Sequence, residues 1–269
     1  MSSGVLYVAT GDQYIREAKT SAKSVRDHMP DTDIALITDD EVESNLFDIV
    51  RDTDELDADF SSSNLEPGMS PFDRTLFLDT DTYLTDSVHE LFDVLDEYDL
   101  AIAPSLSQGS VSGVPAPRTQ YNTGVVSYRS NDPVRELFTL WNDIYREWRE
   151  ERDVVQNQPS FLKAVYETDV DLFTLSLNYN TRLFSPGALH GDAKILHGRP
   201  ETGIENAARL INESSRFRAF YRNSYLSRSG AFKVVEDASP RYHLEKSVFE
   251  RGLKQTLLEA PEYLKERIL

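Results

Sequence analysis

The chain has 269 residues, enough for one large domain with a substantial core. Aspartate and glutamate outnumber lysine and arginine by 46 to 28, which gives a formal net charge of −18. Because nucleic acids are also negatively charged, we do not expect a nucleic acid partner. The chain has no cysteine, which excludes disulfides and thiol chemistry.

The acidic excess also indicates the solvent to which the protein is adapted. Only 8 of the 28 basic residues are lysine. Repulsion among so many carboxylates is weakened at high salt, because the screening length falls to about 3 Å at molar ionic strength. We therefore expect a halophilic, archaeal source. We expect no signal peptide, and the sequence contains no apolar run of about 18 residues. We expect a cytoplasmic protein, with association at the cytoplasmic face of a membrane as the alternative.

Strands and helices alternate from the start of the chain. Residues 5–9 predict a strand, residues 13–28 an amphipathic helix and residues 34–37 a second strand. Residues 52–73 are rich in aspartate and serine and contain no basic residue. They predict helix plus turn, or in part a lid.

The most informative stretch is residues 75–82, TLFLDTDT, in which Asp79 and Asp81 follow an apolar run. Side chains alternate along a strand, so the two carboxylates point the same way if the strand continues. A turn after Asp79 would instead bring one carboxylate to a metal and the other to a neighbouring group. Either geometry suits Mg²⁺ or Mn²⁺, because these cations take carboxylate and phosphate oxygens together. The competing interpretation is a strand end whose acids cap a turn or the next helix.

After this motif the alternation continues. Helix, strand, loop, strand and helix are predicted in that order at residues 87–98, 100–103, 108–119, 125–128 and 133–149. Alternation of this kind favours an α/β fold with a mostly parallel sheet, in which ligands bind at the carboxyl ends of the strands. Residues 10–12 and 79–81 both follow apolar strands, so one crevice is expected to receive both.

The paired aspartates are found in two kinds of protein with different chemistry. They resemble the nucleophile loop of haloacid-dehalogenase-type phosphatases, in which the first aspartate attacks phosphorus. That family normally opens with this strand, whereas a complete strand-helix-strand unit precedes it here. The later phosphatase acids are also missing from the sequence, because Gly191 and Asp192 are not followed by a further aspartate.

Five motifs follow the order of a second family. They are residues 8–14 (VATGDQY), 77–82 (FLDTDT), 122–125 (NTGV), 157–161 (NQPSF) and 195–200 (ILHGRP). In this order they resemble the GT-A nucleotide-sugar glycosyltransferases. Within that group the chain looks like glycosyltransferase family 8, the glycogenin and lipopolysaccharide-galactosyltransferase type. The resemblance runs from about residue 5 to about residue 200.

The resemblance implies an α/β GT-A fold, with a mostly parallel central sheet flanked by helices. It implies a catalytic domain at residues 1–204 and a mainly helical extension at residues 205–269. Asp79, Asp81 and His197 would hold Mn²⁺ or Mg²⁺, with His197 binding through a neutral imidazole nitrogen.

The same resemblance assigns residues to the nucleotide of the donor. Thr10, Asp12, Tyr14, Asp79 and Arg199 would bind it, with the Tyr14 ring against a uracil. The competing interpretation is that Asp12 begins a helix and Tyr14 packs. Arg199 is a candidate replacement for the family's usual lysine, because the Gly-x-x-Lys pattern after the histidine is not reproduced.

Three further residues are implied to be catalytic. Asn122 and Gln158 would bind hydroxyls of the donor sugar, with Gln158 near the anomeric carbon and Asn157 beside it. The family usually has aspartate where this chain has Asn157. A neutral amide can hold a hydroxyl but cannot act as a base or nucleophile, so Asn157 argues against double displacement.

The resemblance, together with the paired aspartates, predicts a metal-dependent hexosyltransferase that moves a sugar from a nucleotide diphosphate donor to a hydroxyl acceptor. The resemblance implies that the donor is UDP-linked and that the reaction proceeds with retention. Three alternatives stay open. One is the haloacid-dehalogenase-like phosphatase. Another is a sugar nucleotidyltransferase, which normally carries a glycine-rich basic loop where residues 8–18 have one glycine and one arginine. The third is a nucleotide-sugar-binding protein without turnover, which Asn157 favours.

Residues 214–235 contrast with the acidic whole. They carry five basic residues and no acidic one, interleaved with aromatic residues. One interpretation is that the basic side chains pair with the acidic body while the aromatic rings pack. The other is that the segment receives a lipid-linked or anionic acceptor, or a membrane surface, through direct arginine contacts. The sequence makes no prediction of the oligomeric state.

Overall fold

The computed structural model describes most of the chain. The described residues are 1–52, 65–105, 110–116, 118–152, 156–185, 187–213, 216–222 and 232–236. The predicted lid at residues 52–73 and the predicted loop at residues 108–119 fall partly outside these ranges.

The first part of the chain forms three parallel strands and a long helix. These are β1 (Ser3–Val8), α1 (Asp12–His28), β2 (Asp33–Thr38) and β3 (Ile49–Asp52). Five consecutive residues are buried in β1 and five in β2. Continuous burial is typical of parallel strands with both faces covered, and it explains why these strands are apolar without alternation.

The middle of the chain carries the rest of the central sheet. Its elements are β4 (Arg74–Leu78), β5 (Thr82–Leu84), α2 (Glu90–Asp93), β6 (Leu100–Pro104), β7 (Tyr121–Arg129), α3 (Asp132–Arg152), α4 (Gln158–Glu167) and β8 (Leu172–Thr174). The helix predicted at residues 87–98 is α-helical only in α2 and continues as a 3-10 turn at Val94–Asp96.

The last described elements are short. They are a 3-10 turn at Leu177–Tyr179, β9 (Thr181–Arg182), β10 (Gly187–Leu189), β11 (Ile195–His197), α5 (Ile204–Ile211), β12 (Arg218–Arg222) and β13 (Phe232–Glu236). The described part of the expected helical extension therefore consists of one helix followed by two strands. Residues 237–269 lie outside the described residues.

The central sheet has seven strands in the order β3-β2-β1-β4-β7-β6-β8. Only β7 runs antiparallel to its neighbours; the other pairs are parallel. This is the mostly parallel α/β sheet that the sequence predicts. The chain moves outward from β1 through β2 to β3 and then returns to place β4 on the other side of β1. Ligands bind at such a reversal, beyond the carboxyl ends of the strands.

Apolar side chains cover both faces of the sheet. Leu6 and Phe77 face one buried cluster, with Trp141 of α3 and Phe161 of α4. Their neighbours along the strands, such as Val5, face the opposite cluster, which includes the buried side of α1. Each fully buried side chain of this size stabilises the fold by about 1.5–3 kcal/mol. The sheet is therefore a rigid platform for the loops at its edge.

Two small sheets flank the central one. The first joins β5, β11 and β9, and the second joins β10, β12 and β13. The buried face of α1 holds the first in place: the Ser21 hydroxyl lies 2.8 Å from the hydroxyl of Thr82, and Ser24 Oγ accepts a hydrogen bond of 2.9 Å from the Leu84 amide. In the described part of the chain, no helix combines the length and apolar character needed to cross a membrane.

Candidate metal and nucleotide site

The two aspartates stand in a turn between β4 and β5. The Asp79 amide donates a hydrogen bond of 2.8 Å to the carbonyl of Gly124, and the Asp79 carbonyl accepts hydrogen bonds from the amide and hydroxyl of Thr82, at 3.1 and 2.8 Å. The Asp81 carbonyl accepts from the Gly198 amide at 2.9 Å. Of the two geometries that the sequence allows, the turn is therefore the one present, but it keeps both carboxylates within reach of His197.

His197 completes a cluster with both aspartates. It ends β11, which pairs antiparallel with β5, so that His197 lies opposite Thr82. Its Nε2 atom lies 3.3 Å from Asp79 Oδ2 and 3.4 Å from Asp81 Oδ1. Ligand atoms of the three residues all lie within 4.8 Å of one another, and among the described residues this is the only such group of acidic and histidine side chains.

The donor set fits a hard divalent cation. Two carboxylates and one imidazole suit Mn²⁺ or Mg²⁺, and three protein ligands leave coordination positions for phosphate oxygens or water. Asp81 and His197 are buried, while Asp79 is partly exposed. The cluster is thus anchored on its protein side and open on one side.

The two carboxylates influence the protonation of His197. Burial disfavours the charged imidazole, but hydrogen bonds with Asp79 and Asp81 outweigh this and raise the pKa of His197 to about 9. Burial also acts to raise the pKa of Asp81, yet its hydrogen bond with His197 and the charge of Arg199 hold that pKa below its usual range. A bound cation would therefore take the place of a proton on His197.

A chain of hydrogen bonds behind His197 fixes the orientation of its ring. The imidazole Nδ1 lies 3.0 Å from Asn180 Oδ1, and Asn180 Nδ2 donates a hydrogen bond of 2.7 Å to Asn122 Oδ1. The same Asn122 oxygen accepts from the Gly124 amide at 3.4 Å. Because Asn180 Oδ1 faces the ring and can only accept a hydrogen bond, the Nδ1 atom of His197 must carry a proton. A neutral ring then presents the Nε2 lone pair to the two aspartates.

Gly124 occupies a position with no room for a side chain. A Cβ atom there would lie 2.1 Å from His197 Cε1 and 2.6 Å from Asp79 Oδ2. The glycine of the sequence motif at residues 122–125 therefore lets β7 pass directly beneath the metal cluster. Asn122, predicted to bind the donor sugar, lies in the same strand and supports His197 through Asn180.

Arg199 joins the cluster to α1. Its Nε and Nη2 each donate a hydrogen bond of 2.7 Å to Glu17, and its Nη1 lies 3.0 Å from Asp81 Oδ2. Glu17 also accepts from the Thr80 hydroxyl at 3.1 Å. The Arg199 guanidinium lies 5.7 Å from the centre of the Tyr14 ring. The structure thus brings two predicted nucleotide residues, Tyr14 and Arg199, to the edge of the metal cluster.

The other predicted nucleotide residues lie in the loop after β1. Thr10 and Asp12 flank Gly11, whose backbone φ is 82° and whose amide donates a hydrogen bond of 3.0 Å to Asp39. Asp12 is exposed in the first turn of α1 and lies 3.9 Å from Arg16. The loop follows the strand next to β4, as the sequence predicts. The roles of Thr10 and Asp12 toward a nucleotide remain predictions.

Asn157 and Gln158 begin α4. The Asn157 carbonyl accepts hydrogen bonds from Trp141 Nε1 at 3.1 Å and from the Ser160 hydroxyl at 2.7 Å. The Trp141 contact fastens the start of α4 to α3, and the Ser160 contact lies within the first turn of α4. The position of this segment is therefore set by packing beneath it, and the catalytic roles of both side chains remain predictions.

The basic residues of the last third are divided between core and surface. Arg218 is buried and donates through Nη1 to the carbonyls of Gly191 and Arg216, at 2.9 and 3.0 Å. Phe220 is also buried, whereas Phe217 is exposed. Phe220 packs in the core, as one interpretation of this segment predicts, whereas the sequence pattern gives no indication of the backbone contacts that hold Arg218. Several other residues of the segment lie outside the described ranges.

Three residues of the site, Glu17, Asn180 and Arg182, lie outside the five sequence motifs. Gly124 lies inside a motif, but the sequence assigns it no role. Asn180 and Arg182 reach the cluster because β9 pairs with β11, with Arg182 in register with His197. A two-residue strand has no periodicity to detect, so this pairing is visible only in three dimensions.

Comparison with known proteins defines the fold. No protein-family model and no curated protein matches the chain. A solved structure of an active-site mutant of LgtC, a galactosyltransferase, is 19% identical with a TM-score of 0.51, covering 72% of this chain and 86% of that chain. WbbM, a bifunctional glycosyltransferase, is 16% identical with a TM-score of 0.52, covering 73% of this chain and 45% of that one.

A third similar structure is the glycosyltransferase GlyE of Streptococcus pneumoniae, 20% identical, with a TM-score of 0.49 over 68% of this chain and 47% of that one. The first two similarities, together with the sheet order, assign the chain to the GT-A fold.

Proposed function

We propose that the protein is a metal-dependent glycosyltransferase whose donor is a nucleotide-diphosphate sugar. The observation that carries the proposal is the cluster of Asp79, Asp81 and His197, whose ligand atoms lie within 4.8 Å of one another. It stands at the carboxyl end of β4, beside β1, where a GT-A sheet receives its donor. The solved LgtC complex contains donor and acceptor sugar analogues, but the proposal rests on the geometry of the present site.

In this proposal the three residues would hold Mn²⁺ or Mg²⁺, and the bound cation would neutralise charge on the departing nucleotide diphosphate. Tyr14 offers an aromatic face to the base, and 41% of its surface is exposed and accessible to a ligand. Arg199, which contacts Asp81, would exchange that contact for a phosphate oxygen.

The reaction we propose is transfer of a hexose from a UDP-linked donor to a hydroxyl, with retention at the anomeric carbon. The bond between that carbon and the phosphate oxygen breaks, a bond to the acceptor oxygen forms on the same face, and the acceptor proton passes to the departing phosphate. Gln158 and Asn122 would position the donor sugar. Because Asn157 cannot act as a nucleophile, same-face attack fits the chain better than double displacement.

The decisive test is titration calorimetry of UDP in the presence of MnCl₂. Asp81→Asn removes a ligand charge but preserves the shape of a buried side chain, so we expect Mn²⁺-dependent UDP binding to be lost while the melting temperature stays within a few degrees of wild type. Asp132→Asn, at an exposed acid at the start of α3, is the matched control and should bind as wild type does. Equal binding by both variants would reject the metal site.

Transfer itself is tested by release of UDP from a panel of UDP-sugars in molar KCl. Release that requires both Mn²⁺ and an added hydroxyl compound supports a transferase. Tight binding of UDP-sugar with no release in any mixture would favour the binding protein without turnover.

A further inference from the structure

Arg182 lies beside the metal cluster on the same face of the small sheet. It ends β9, which runs parallel to β11, and its register partner is His197. The Leu183 amide fixes this register by donating a hydrogen bond of 2.9 Å to the His197 carbonyl. Residues paired across neighbouring strands project from the same face. Arg182 and His197 therefore project together from the sheet that carries the cluster.

The guanidinium of Arg182 has no partner within the described part of the chain. Its Nε atom is buried without a hydrogen bond, and no described residue forms a hydrogen bond or ion pair with either terminal nitrogen. Arg74 and Arg218 also leave Nε unpaired, but their terminal nitrogens are bonded: Arg74 pairs with Asp96, and Arg218 donates to backbone carbonyls. Arg182 differs because its whole fork is unused.

A largely buried, unpaired cation is costly and needs a physical explanation. Burial lowers the pKa of Arg182, while the charges of Asp79 and Asp81 act in the opposite direction. The guanidinium is therefore attracted electrostatically to both carboxylates without contacting either one. A divalent cation on these carboxylates would cancel that attraction and leave two positive groups side by side, an arrangement that an anion between them would stabilise.

The other basic groups nearby are already engaged. Lys194 lies 2.8 Å from Glu90 and 3.3 Å from Asp86, away from the cluster. Arg199 is held by a bidentate pair with Glu17. Among the basic side chains that the structure describes around the cluster, Arg182 is the one whose donors are free.

We propose that Arg182 binds phosphate oxygens of the donor diphosphate, together with the cation held by Asp79, Asp81 and His197. The planar fork of arginine matches two phosphate oxygens. This inference rests on the proposed function. This arrangement would couple cation binding to diphosphate binding. Without the diphosphate, Arg182 repels the cation. When the diphosphate is bound, Arg182 and the cation both contact the same anion.

The test compares Arg182→Gln and Arg182→Lys with wild type by titration calorimetry, using Mn²⁺ alone and then UDP, UMP and uridine at saturating Mn²⁺. We expect Arg182→Gln to weaken UDP binding about 10- to 100-fold, the loss typical of a charge-assisted hydrogen bond. Uridine binding should not change, and Mn²⁺ alone should bind as tightly as in wild type or more tightly. Arg182→Lys keeps the charge without the fork and should fall between the two.

Arg135→Gln, at an exposed arginine paired with Asp132 on α3, is the matched control and should behave as wild type. UDP binding that is unchanged in Arg182→Gln would overturn the inference. A loss of Mn²⁺ binding equal to the loss of UDP binding would also overturn it, because a merely structural arginine would weaken both. If Arg182→Gln does not fold, Arg182→Lys carries the same comparison, and wild-type affinity for UDP in that variant rejects the role of the fork.

Inorganic pyrophosphate with Mn²⁺ separates this inference from the proposed function. If the wild-type protein binds pyrophosphate but not UDP, the proposed nucleotide donor is wrong. The role of Arg182 in phosphate binding can then still be tested with pyrophosphate. The variant must then lose pyrophosphate affinity by a similar factor, and equal affinities reject the role of Arg182.

Discussion

Single hydrogen bonds between neighbouring residues set the tautomer of His197. Asn180 accepts from Nδ1 and is itself oriented by Asn122, whose oxygen the Gly124 amide holds. Second-layer partners of this kind usually change metal affinity about 10- to 100-fold when removed. We predict that Asn180→Leu, which keeps the size of the side chain, weakens Mn²⁺ binding by a factor in that range, measured by titration calorimetry.

Asn206→Leu, at an exposed asparagine on α5, is the control for this prediction. It should leave Mn²⁺ affinity unchanged. Wild-type affinity in Asn180→Leu would mean that the relay does not hold the ring, and the assignment of the Nδ1 proton would have to be abandoned.

A second residue-scale prediction concerns Gly124. A methyl group there would lie 2.1 Å from the His197 ring and 2.6 Å from Asp79, far inside contact distance, so the cluster must open to accept it. We expect Gly124→Ala to abolish measurable Mn²⁺ binding and to lower the melting temperature by several degrees. An alanine variant that binds Mn²⁺ normally would show that β7 moves away at little cost.

At the scale of elements, the start of α4 depends on α3. Trp141 donates to the Asn157 carbonyl at 3.1 Å, and its ring packs edge-on against Phe161 with centroids 4.9 Å apart. We predict that Trp141→Phe costs about 1–3 kcal/mol of unfolding free energy, from the lost hydrogen bond and the cavity. If Asn157 and Gln158 position the donor sugar, turnover should fall while Mn²⁺ affinity stays constant.

Trp148→Phe, in the same helix and also buried, is the matched control. It should cost a similar amount of stability without lowering turnover. A parallel loss of turnover in both variants would indicate general loosening of α3, and would leave the segment at Asn157 without a demonstrated role.

The elements also show what the sequence predicts and what it does not. The long apolar strands and α1 and α3 follow from periodicity and burial, because each buries enough surface to dominate its own stretch. The helix expected at residues 87–98 is α-helical over only four residues. Side chains of β4 and β7 bind its backbone: Arg74 donates to the Phe92 carbonyl and Ser127 to the Leu91 carbonyl. The residues of β9 and β10 join partners far along the chain, and local pattern contains no information on such pairing.

The same distinction explains the site. Asp79, Asp81 and His197 were predicted from motif order and are brought together by the pairing of β5 with β11. Asn180 and Arg182 were missed because they reach His197 only through the register of β9. Short-range spacing identifies metal ligands that share a motif, but it does not identify residues that a small sheet delivers from elsewhere.

At the scale of the whole molecule, the net charge of −18 sets the conditions under which the fold is stable. Many of the described ion pairs are exposed and of i,i+3 or i,i+4 type, and such pairs contribute little to stability. They do not offset an excess of 18 negative charges. The buried sheet supplies the favourable free energy, and repulsion among surface carboxylates opposes it.

We predict that the melting temperature rises as KCl increases from about 0.1 M to molar concentration, where the screening length shortens from about 10 Å to about 3 Å. Differential scanning calorimetry in KCl measures this directly. Matched titrations with choline chloride and potassium sulfate separate general screening from effects of the particular ions. A transition that stays flat or falls with KCl would reject the halophile interpretation, whereas a rise shared by KCl and choline chloride would identify self-repulsion of the acidic surface as the destabilising force.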